Sequence, residues 1–321
     1  MTPNLTQSLL KLEIIMKKLG LATALLLAMT GANAYQVEVQ GQSEFINATD
    51  ANDKDFTGAG QATYYFKDVD TSKGPLAEAA FLNQASNVSA AYSFAKLSGD
   101  EVVTSKTQSY GAKGEAYIPT PYLPVYTSAS YSHTKSKSDD ERDNGDRFAL
   151  EVGTMLAPNF LVAVGYTNIA DQFALDANSV LSSGIAKSFA QPLVIGEDQD
   201  AITARTKYVG NIDGTNMAVG FEAGLVYGDT TAYELKTDFY VTPKLSVGAS
   251  YAEVSASSNQ ANDKFSPIKS AWGANVNYFI TPAIAVGASY VNANAKSFLD
   301  EDAETVNLDT QTIGLNAKFR F

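Results

Sequence analysis

Through much of the chain, apolar and polar side chains alternate one by one. Ile284, Val286, Ala288 and Tyr290 fall on one parity, and Ala285, Gly287 and Ser289 on the other. Tyr233, Leu235, Thr237, Phe239 and Val241 are likewise set against Glu234, Lys236, Asp238 and Tyr240. Ile313, Leu315, Ala317, Phe319 and Phe321 stand against Asn316, Lys318 and Arg320. A period of two marks a strand, because successive Cβ atoms point to opposite faces. The alternating runs reach about ten residues or more, against about 5–6 in strands of globular domains.

The strands come in a repeated frame. The block Thr242-Pro243-Lys244-Leu245-Ser246-Val247-Gly248-Ala249-Ser250-Tyr251 recurs 39 residues later as Thr281-Pro282-Ala283-Ile284-Ala285-Val286-Gly287-Ala288-Ser289-Tyr290. Looser copies begin at Thr120-Pro121 and Ala157-Pro158. Proline presets a turn dihedral and cannot donate to a ladder, so each copy reads as a tight turn feeding a strand. Short turns fall at 69–74, 119–124, 157–159, 211–215, 242–244 and 281–283. Longer polar connections fall at 50–55, 98–102, 137–146, 172–199, 257–265 and 296–304, with one tight exception at Gly228-Asp229. This spacing predicts seven hairpins and about 14 strands, 12 or 16 being the alternatives. Residues 75–85 read either as strand or as a short helix beside the first turn.

Alternation alone does not separate a soluble sandwich from a membrane barrel. A sandwich core could not accept Glu234, Lys236 and Asp238 on one face of one strand, whereas a water-filled lumen can. Short turns at one end and long loops at the other are the asymmetry of outer-membrane barrels. Aromatics gather at the strand ends: Tyr166, Tyr251 and Tyr290 toward the loops, Phe239, Tyr278, Phe319 and Phe321 toward the turns. Such rings suit two membrane-interface girdles. The expected fold is therefore an all-β antiparallel transmembrane barrel.

Export fits this reading. Met16-Lys17-Lys18, the apolar run 19–29 and Ala32-Asn33-Ala34 form a signal peptide, with cleavage expected after Ala34 and a single barrel domain at 35–321. Residues 1–15 add nothing to that signal, which suggests a true start at Met16. With 23 Lys and Arg against 35 Asp and Glu, the chain is acidic and suits no nucleic-acid partner. The absence of cysteine and a single histidine leave no thiolate chemistry and no multi-histidine metal site. No cofactor or metal is implied, and no acidic run has calcium-loop spacing.

The closing strand, ending in Phe321 behind Phe319, Leu315 and Ile313, resembles the terminal signal by which the barrel assembly machinery recognises its clients. The usual glycine of that signal is replaced by Asn316. The stretch from Tyr64-Tyr65-Phe66 through Val69-Asp70-Thr71-Ser72-Lys73-Gly74-Pro75-Leu76-Ala77-Glu78-Ala79-Ala80-Phe81-Leu82-Asn83 resembles the putative-porin family of Gram-negative bacteria. The resemblance implies an outer-membrane location, outer-membrane lipid as surroundings and a diffusion channel for small hydrophilic solutes.

The inward parity supplies the candidate pore lining: Lys113, Glu115, Arg147, Glu151, Arg205, Lys207, Glu222, Glu234, Lys236, Asp238 and Lys269. The wall is mixed in sign, and acidic loops at the mouth would favour cations weakly. The connection 172–199 is unusual in its apolar content and is expected to fold into the mouth as a constriction loop, or to pack on a neighbouring subunit of a homo-oligomer. Its acids Asp171, Asp176, Glu197 and Asp198 would then face Arg205 and Lys207. Rival readings are an adhesin or scaffold acting through acidic loops, a substrate-specific channel, and a membrane hydrolase using His133. The fatty-acid channels among 14-stranded barrels carry a plug ahead of strand one, for which the chain leaves no room behind Ala34. No residue is assigned a catalytic role.

Because the terminal aromatic both anchors at the interface and marks the last strand, Phe321→Ser is expected to leave the chain exported but poorly inserted. The check is the heat-modifiable band in isolated outer membranes; a normal band would contradict the role given to Phe321.

Overall fold

The computed structural model describes residues 34–48, 55–97, 105–138, 141–170, 174–179, 199–228, 230–256, 268–297 and 306–321. The expected leader lies outside them. Fourteen strands run in order: β1 (Ala34–Ala48), β2 (Asp55–Asp70), β3 (Asn87–Leu97), β4 (Ser105–Ile118), β5 (Val125–Ser138), β6 (Glu141–Ala157) and β7 (Phe160–Ala170). They continue as β8 (Gln199–Asn211), β9 (Ala218–Tyr227), β10 (Thr230–Thr242), β11 (Leu245–Ala256), β12 (Ile268–Thr281), β13 (Ile284–Ser297) and β14 (Val306–Arg320). Each pairs antiparallel with its sequence neighbours, and β1 pairs with β14 to close the barrel.

The two faces separate as the alternation requires. Phe239, Val247, Trp272, Val276, Tyr278, Ile313 and Leu315 stand exposed on the outer surface, the position lipid would cover. Their chain neighbours Asp238, Ser246, Ala271, Phe279, Thr312 and Arg320 turn inward and are buried. The seam is well tied. The Phe321 carbonyl accepts from the Gln36 and Val37 amides, the Phe321 amide donates to Val37, and Arg320 Nε reaches Glu38 Oε2 at 2.7 Å.

The Thr-Pro repeats have a local cause. The Thr242 hydroxyl accepts from the Lys244 and Leu245 amides at 3.2 and 3.1 Å, and Thr281 accepts from Ala283 at 3.3 Å. Threonine thus caps the turn while proline fixes its dihedral. Register shifts follow at 240/242 and 279/281, and at 155/157 in the looser copy.

One connection differs from the sequence expectation, and a second settles a choice the sequence left open. The ladder between β5 and β6 continues to the pair Ser138 and Glu141, so most of the polar stretch 137–146 is strand rather than loop. Beyond the bilayer, strands are wet on the outside as well and lose the apolar alternation that betrays them. Residues 75–85 take the helical alternative rather than strand: a 3-10 turn, Leu76–Glu78, and one α-helical turn, Ala79–Leu82, fold back into the barrel.

The inside–outside assignment can be tested on one strand. Val276→Arg, on the outer face, is expected to cost about 2–4 kcal/mol of folding into bilayers, the range for a midplane arginine. Asn277→Arg, its inward neighbour, should fold with little loss. Urea titration in lipid vesicles, followed by tryptophan fluorescence from Trp272, distinguishes them; equal costs would overturn the assignment.

Candidate permeation pathway and its occlusion

Inward parity on β4 to β10 assembles a belt of charge halfway along the lumen. Lys113 lies 2.7 Å from Glu115, which also accepts from the Tyr126 hydroxyl at 2.8 Å. Arg205 forks onto Glu151 at 2.9 and 3.1 Å and donates to the Tyr126 hydroxyl at 2.9 Å. Glu222 stands 3.6 Å from Arg205 and 3.8 Å from Lys207. Lys236 and Asp238 pair along β10 at 3.4 Å, and Lys318 with Glu38 at 3.0 Å near the seam. Arginine suits the centre of this belt because its planar fork engages a carboxylate bidentately.

Below the belt, the segment between β2 and β3 closes the turn end. Phe81 lies in a buried cluster with Tyr126, Met155, Leu161, Val209, Ala218 and Tyr240, contributed by β5 to β10. Leu76 packs with Phe279 and Ala285 from β12 and β13, and Ala79 and Ala85 pack with Tyr35, Tyr65 and Val69 from β1 and β2. The segment thus meets walls on opposite sides and crosses the opening as a plug.

Polar bonds hold it from both flanks. Glu78 accepts from Lys207 Nζ at 2.9 Å and from the Tyr240 hydroxyl at 2.8 Å. The Leu76 carbonyl accepts from Arg320 at 2.8 Å, and its amide donates to Pro243 at 2.8 Å. Arg320 is itself sandwiched over Tyr35 and Phe279, at 4.5 and 4.7 Å from the ring centroids. Burial of the Glu78 carboxyl works against its charge, but Lys207 and the Tyr240 hydroxyl prevail and hold its pKa below the usual carboxylate range.

At the loop end, residues 174–179 also lie inside. Ala174, Leu175 and Ala177 are buried against β4 and β5. The Leu175 amide donates to Thr134 Oγ1 at 3.0 Å, the Ala177 amide to Ser132 Oγ at 3.2 Å, and Ser89 bonds Asn178 at 3.1 Å. Asp176 pairs with Arg147 at 3.0 Å. For Asp176 the partner is thus Arg147 and not the expected Arg205 or Lys207, which are engaged by Glu151 and Glu222 and by Glu78 and Glu222. Asp171, Glu197, Asp198 and the Lys269 side chain lie outside the described residues.

Two lumenal cavities of about 280 Å³ each remain between plug and loop. One is lined by Lys113, Arg147, Glu151, Arg205, Glu222 and Glu234, among others. The second includes Gln42, Lys236, Asp238, Asn275, Asn277 and Lys318. The seven girdle aromatics, Tyr166, Tyr251, Tyr290, Phe239, Tyr278, Phe319 and Phe321, stand on the outward side. His133 is not lumenal: it faces outward, bonded to Asp146 at 2.8 Å and stacked on Tyr110. Among the described residues no group of three or more His, Cys, Asp or Glu could hold a metal ion.

Sequence reading missed the residues that carry the plug, above all Glu78, Tyr126 and Tyr240. An acid next to apolar side chains in a connecting segment, and two tyrosines on otherwise polar faces, were the available signals.

Comparison with known proteins settles the family. The model of the family described as "Putative general bacterial porin" matches residues 9–312. The chain belongs to that porin family. It is also similar to the crystallised Acinetobacter baumannii outer membrane protein Omp33, at 52% identity over 91% of this chain and all of the other, with a TM-score of 0.63. This porin-family barrel is therefore an outer-membrane protein. A Pseudomonas aeruginosa FadL homologue is similar at 11% identity and TM-score 0.51 over 92% of both chains. The CymD monoaromatic hydrocarbon channel follows at 12% and 0.53 over 89% of both. These two likenesses concern the fold alone. No curated protein matches the chain.

Acid should loosen the plug. A carboxylate with a depressed pKa stabilises fully above its unfolded value, about 4.3, and loses that contribution as the pH falls through the lower folded value. A photo-crosslinking side chain placed in the plug should therefore join to the wall less readily below about pH 4 than at pH 7. Glu78→Gln, which leaves Lys207 short of a charge partner, should weaken docking by about 1–3 kcal/mol and reproduce the acid behaviour at pH 7. Unchanged crosslinking in both cases would rule out the Glu78 contact as the hold.

Proposed function

We propose that this porin is a passive diffusion channel for small hydrophilic solutes, closed at rest by its own first turn and opened when that turn leaves the lumen. The observation that carries the reading is the lumen wall itself. Facing charges and amides on β4 to β14 stay hydrated once the plug is withdrawn, and such a wall favours polar solutes over apolar ones. The wall is mixed in sign, with Lys113, Arg147, Arg205, Lys207, Lys236, Lys318 and Arg320 set among Glu38, Glu44, Glu115, Glu151, Glu222, Glu234 and Asp238, so the weak preference for cations rests on the acidic excess of the chain outside the wall. In this reading residues 1–34 are removed on export, and the strand ending in Phe321 presents the chain to the assembly machinery.

The plug is held by polar bonds and a small apolar cluster rather than by a covalent tie, so its release lies within thermal reach. The loop 174–179 acts as an outer constriction, tied to the wall through the ion pair of Asp176 with Arg147.

Planar-bilayer recording tests the proposal. The whole protein should show rare, brief openings, whereas deletion of residues 76–83 should give sustained conductance with a reversal potential displaced toward the cation value in a salt gradient. Leu175→Asp, which unseats the outer constriction, should raise the open-state conductance further, by about twofold on the scale of removing one narrow point. Silence from the correctly folded plug deletion would sink the channel reading.

A further inference from the structure

The outer surface carries a row of cations that neither permeation nor the fold explains. Lys96 on β3 lies directly opposite Lys106 on β4, Lys106 opposite Lys137 on β5, and Lys137 opposite Arg142 on β6. All four are exposed and on the outward parity. Lys135 belongs to the same face, its Nζ 6.0 Å from the centre of the Tyr110 ring. Like charges directly opposed across a ladder are unfavourable, so three such pairs in succession need an external anion to offset them.

The height of the row identifies the anion. Along the same strands the outward aromatics are Tyr92, Tyr110, Tyr131 and Phe148. The cations stand two or three outward positions closer to the loops, each position adding about 7 Å of strand before tilt. Aromatic girdles mark the edge of the hydrocarbon, so the row sits at headgroup level in the outer leaflet. Among the described side chains, the remaining ten strands differ; Lys296, on the outward parity of β13, is not one of those side chains. Their loop-side outward faces hold no described lysine or arginine side chain, and the acids there are taken up locally: Asp200 by Tyr166 and Asn168, Glu253 by Tyr233 and Tyr251. Within the cationic quarter, Asp146 is likewise engaged, by Tyr131 at 2.6 Å and His133 at 2.8 Å.

We propose that Lys96, Lys106, Lys137 and Arg142 form a binding site for the phosphates of a phosphorylated glycolipid in the outer leaflet, with Lys135 at its lower edge. The outward surface of Tyr92, Tyr110 and Ala112 beneath would accept the acyl chains. Three lysines supply mobile point charges and the arginine a planar fork, the combination that suits phosphate oxygens. The site depends only on the outer-membrane location and not on what the lumen passes.

Native mass spectrometry of the whole protein in detergent tests it, with lipid A bearing two phosphates as the probe. The protein should retain this lipid, retain the form lacking one phosphate less, and retain phosphatidylethanolamine least. The combined variant K96Q/K106Q/K137Q/R142Q should lose at least about tenfold in retention, as removal of several surface cations implies. The lysine-to-arginine variant K96R/K106R/K137R should keep it. Glutamine relieves the like-charge opposition, so the loss cannot be put down to misfolding when the heat-modifiable band and the conductance stay unchanged. Excess inorganic phosphate should leave the lipid bound. Displacement of the lipid by phosphate would assign the row to a free anion and overturn the proposal. So would equal retention by the glutamine variant.

Discussion

Hydrocarbon cannot hydrogen-bond a peptide group, and the whole molecule follows from that constraint. The β1–β14 ladder removes the last free sheet edge, tying Glu38 through Ala48 to Arg320 through Thr310 in continuous register. Closure at fourteen strands then sets a second condition. An eight-stranded barrel can fill its interior with its own wall side chains, but a wider one cannot. The lumen here must hold either water or additional chain. It holds additional chain at both ends, a helical plug and an inward loop, with cavities between them.

The chemistry of the filling is polar for a reason that also concerns its removal. Burying the carboxylate of Glu78 is costly unless a charge and a hydrogen bond meet it, and Lys207 and Tyr240 do so. Replacing the contact by apolar packing would hold the plug at least as firmly. The polar version instead leaves every group able to exchange its protein partner for water if the plug departs as proposed. Glu222, 3.8 Å from Lys207, provides that lysine with a second acid and keeps the wall paired in either state. The family resemblance in the sequence ran through 64–83, which is the plug together with the strand end that launches it.

Much of the barrel was legible because lipid imposes a strict period of two, and the Thr-Pro turns punctuate it. The strand count, the closing strand and the two faces of β10 to β14 could all be read from that pattern. Above the bilayer the pattern fades, which is why 137–146 read as loop although most of it is ladder. The plug was illegible for a different reason. Its helical content is two single turns, too short for a 3.6-residue period to declare itself, and its partners lie far away along the chain. The charged wall residues were identifiable by parity, but parity says nothing about who pairs with whom. Arg205 and Lys207 therefore looked available to the loop acids until Glu151, Glu222 and Glu78 were seen beside them.

The position of the plug in the chain bears on the order in which the protein matures. It leaves the wall after only the second strand, yet the Leu76 carbonyl is bonded to Arg320, 244 residues later, and Glu78 to Tyr240, 162 residues later. Contacts of such separation cannot form until the intervening chain has been laid down, because loop-closure entropy opposes them and nothing local offsets it. The surface that receives Leu76 is built by Phe279 and Ala285 from β12 and β13 and by Arg320 from β14, so it is complete only when the last strand is in place. The full set of plug contacts is therefore among the last of the fold to form. Until they do, the inward segment 174–179 is the one described stretch of chain that would stand across the bore.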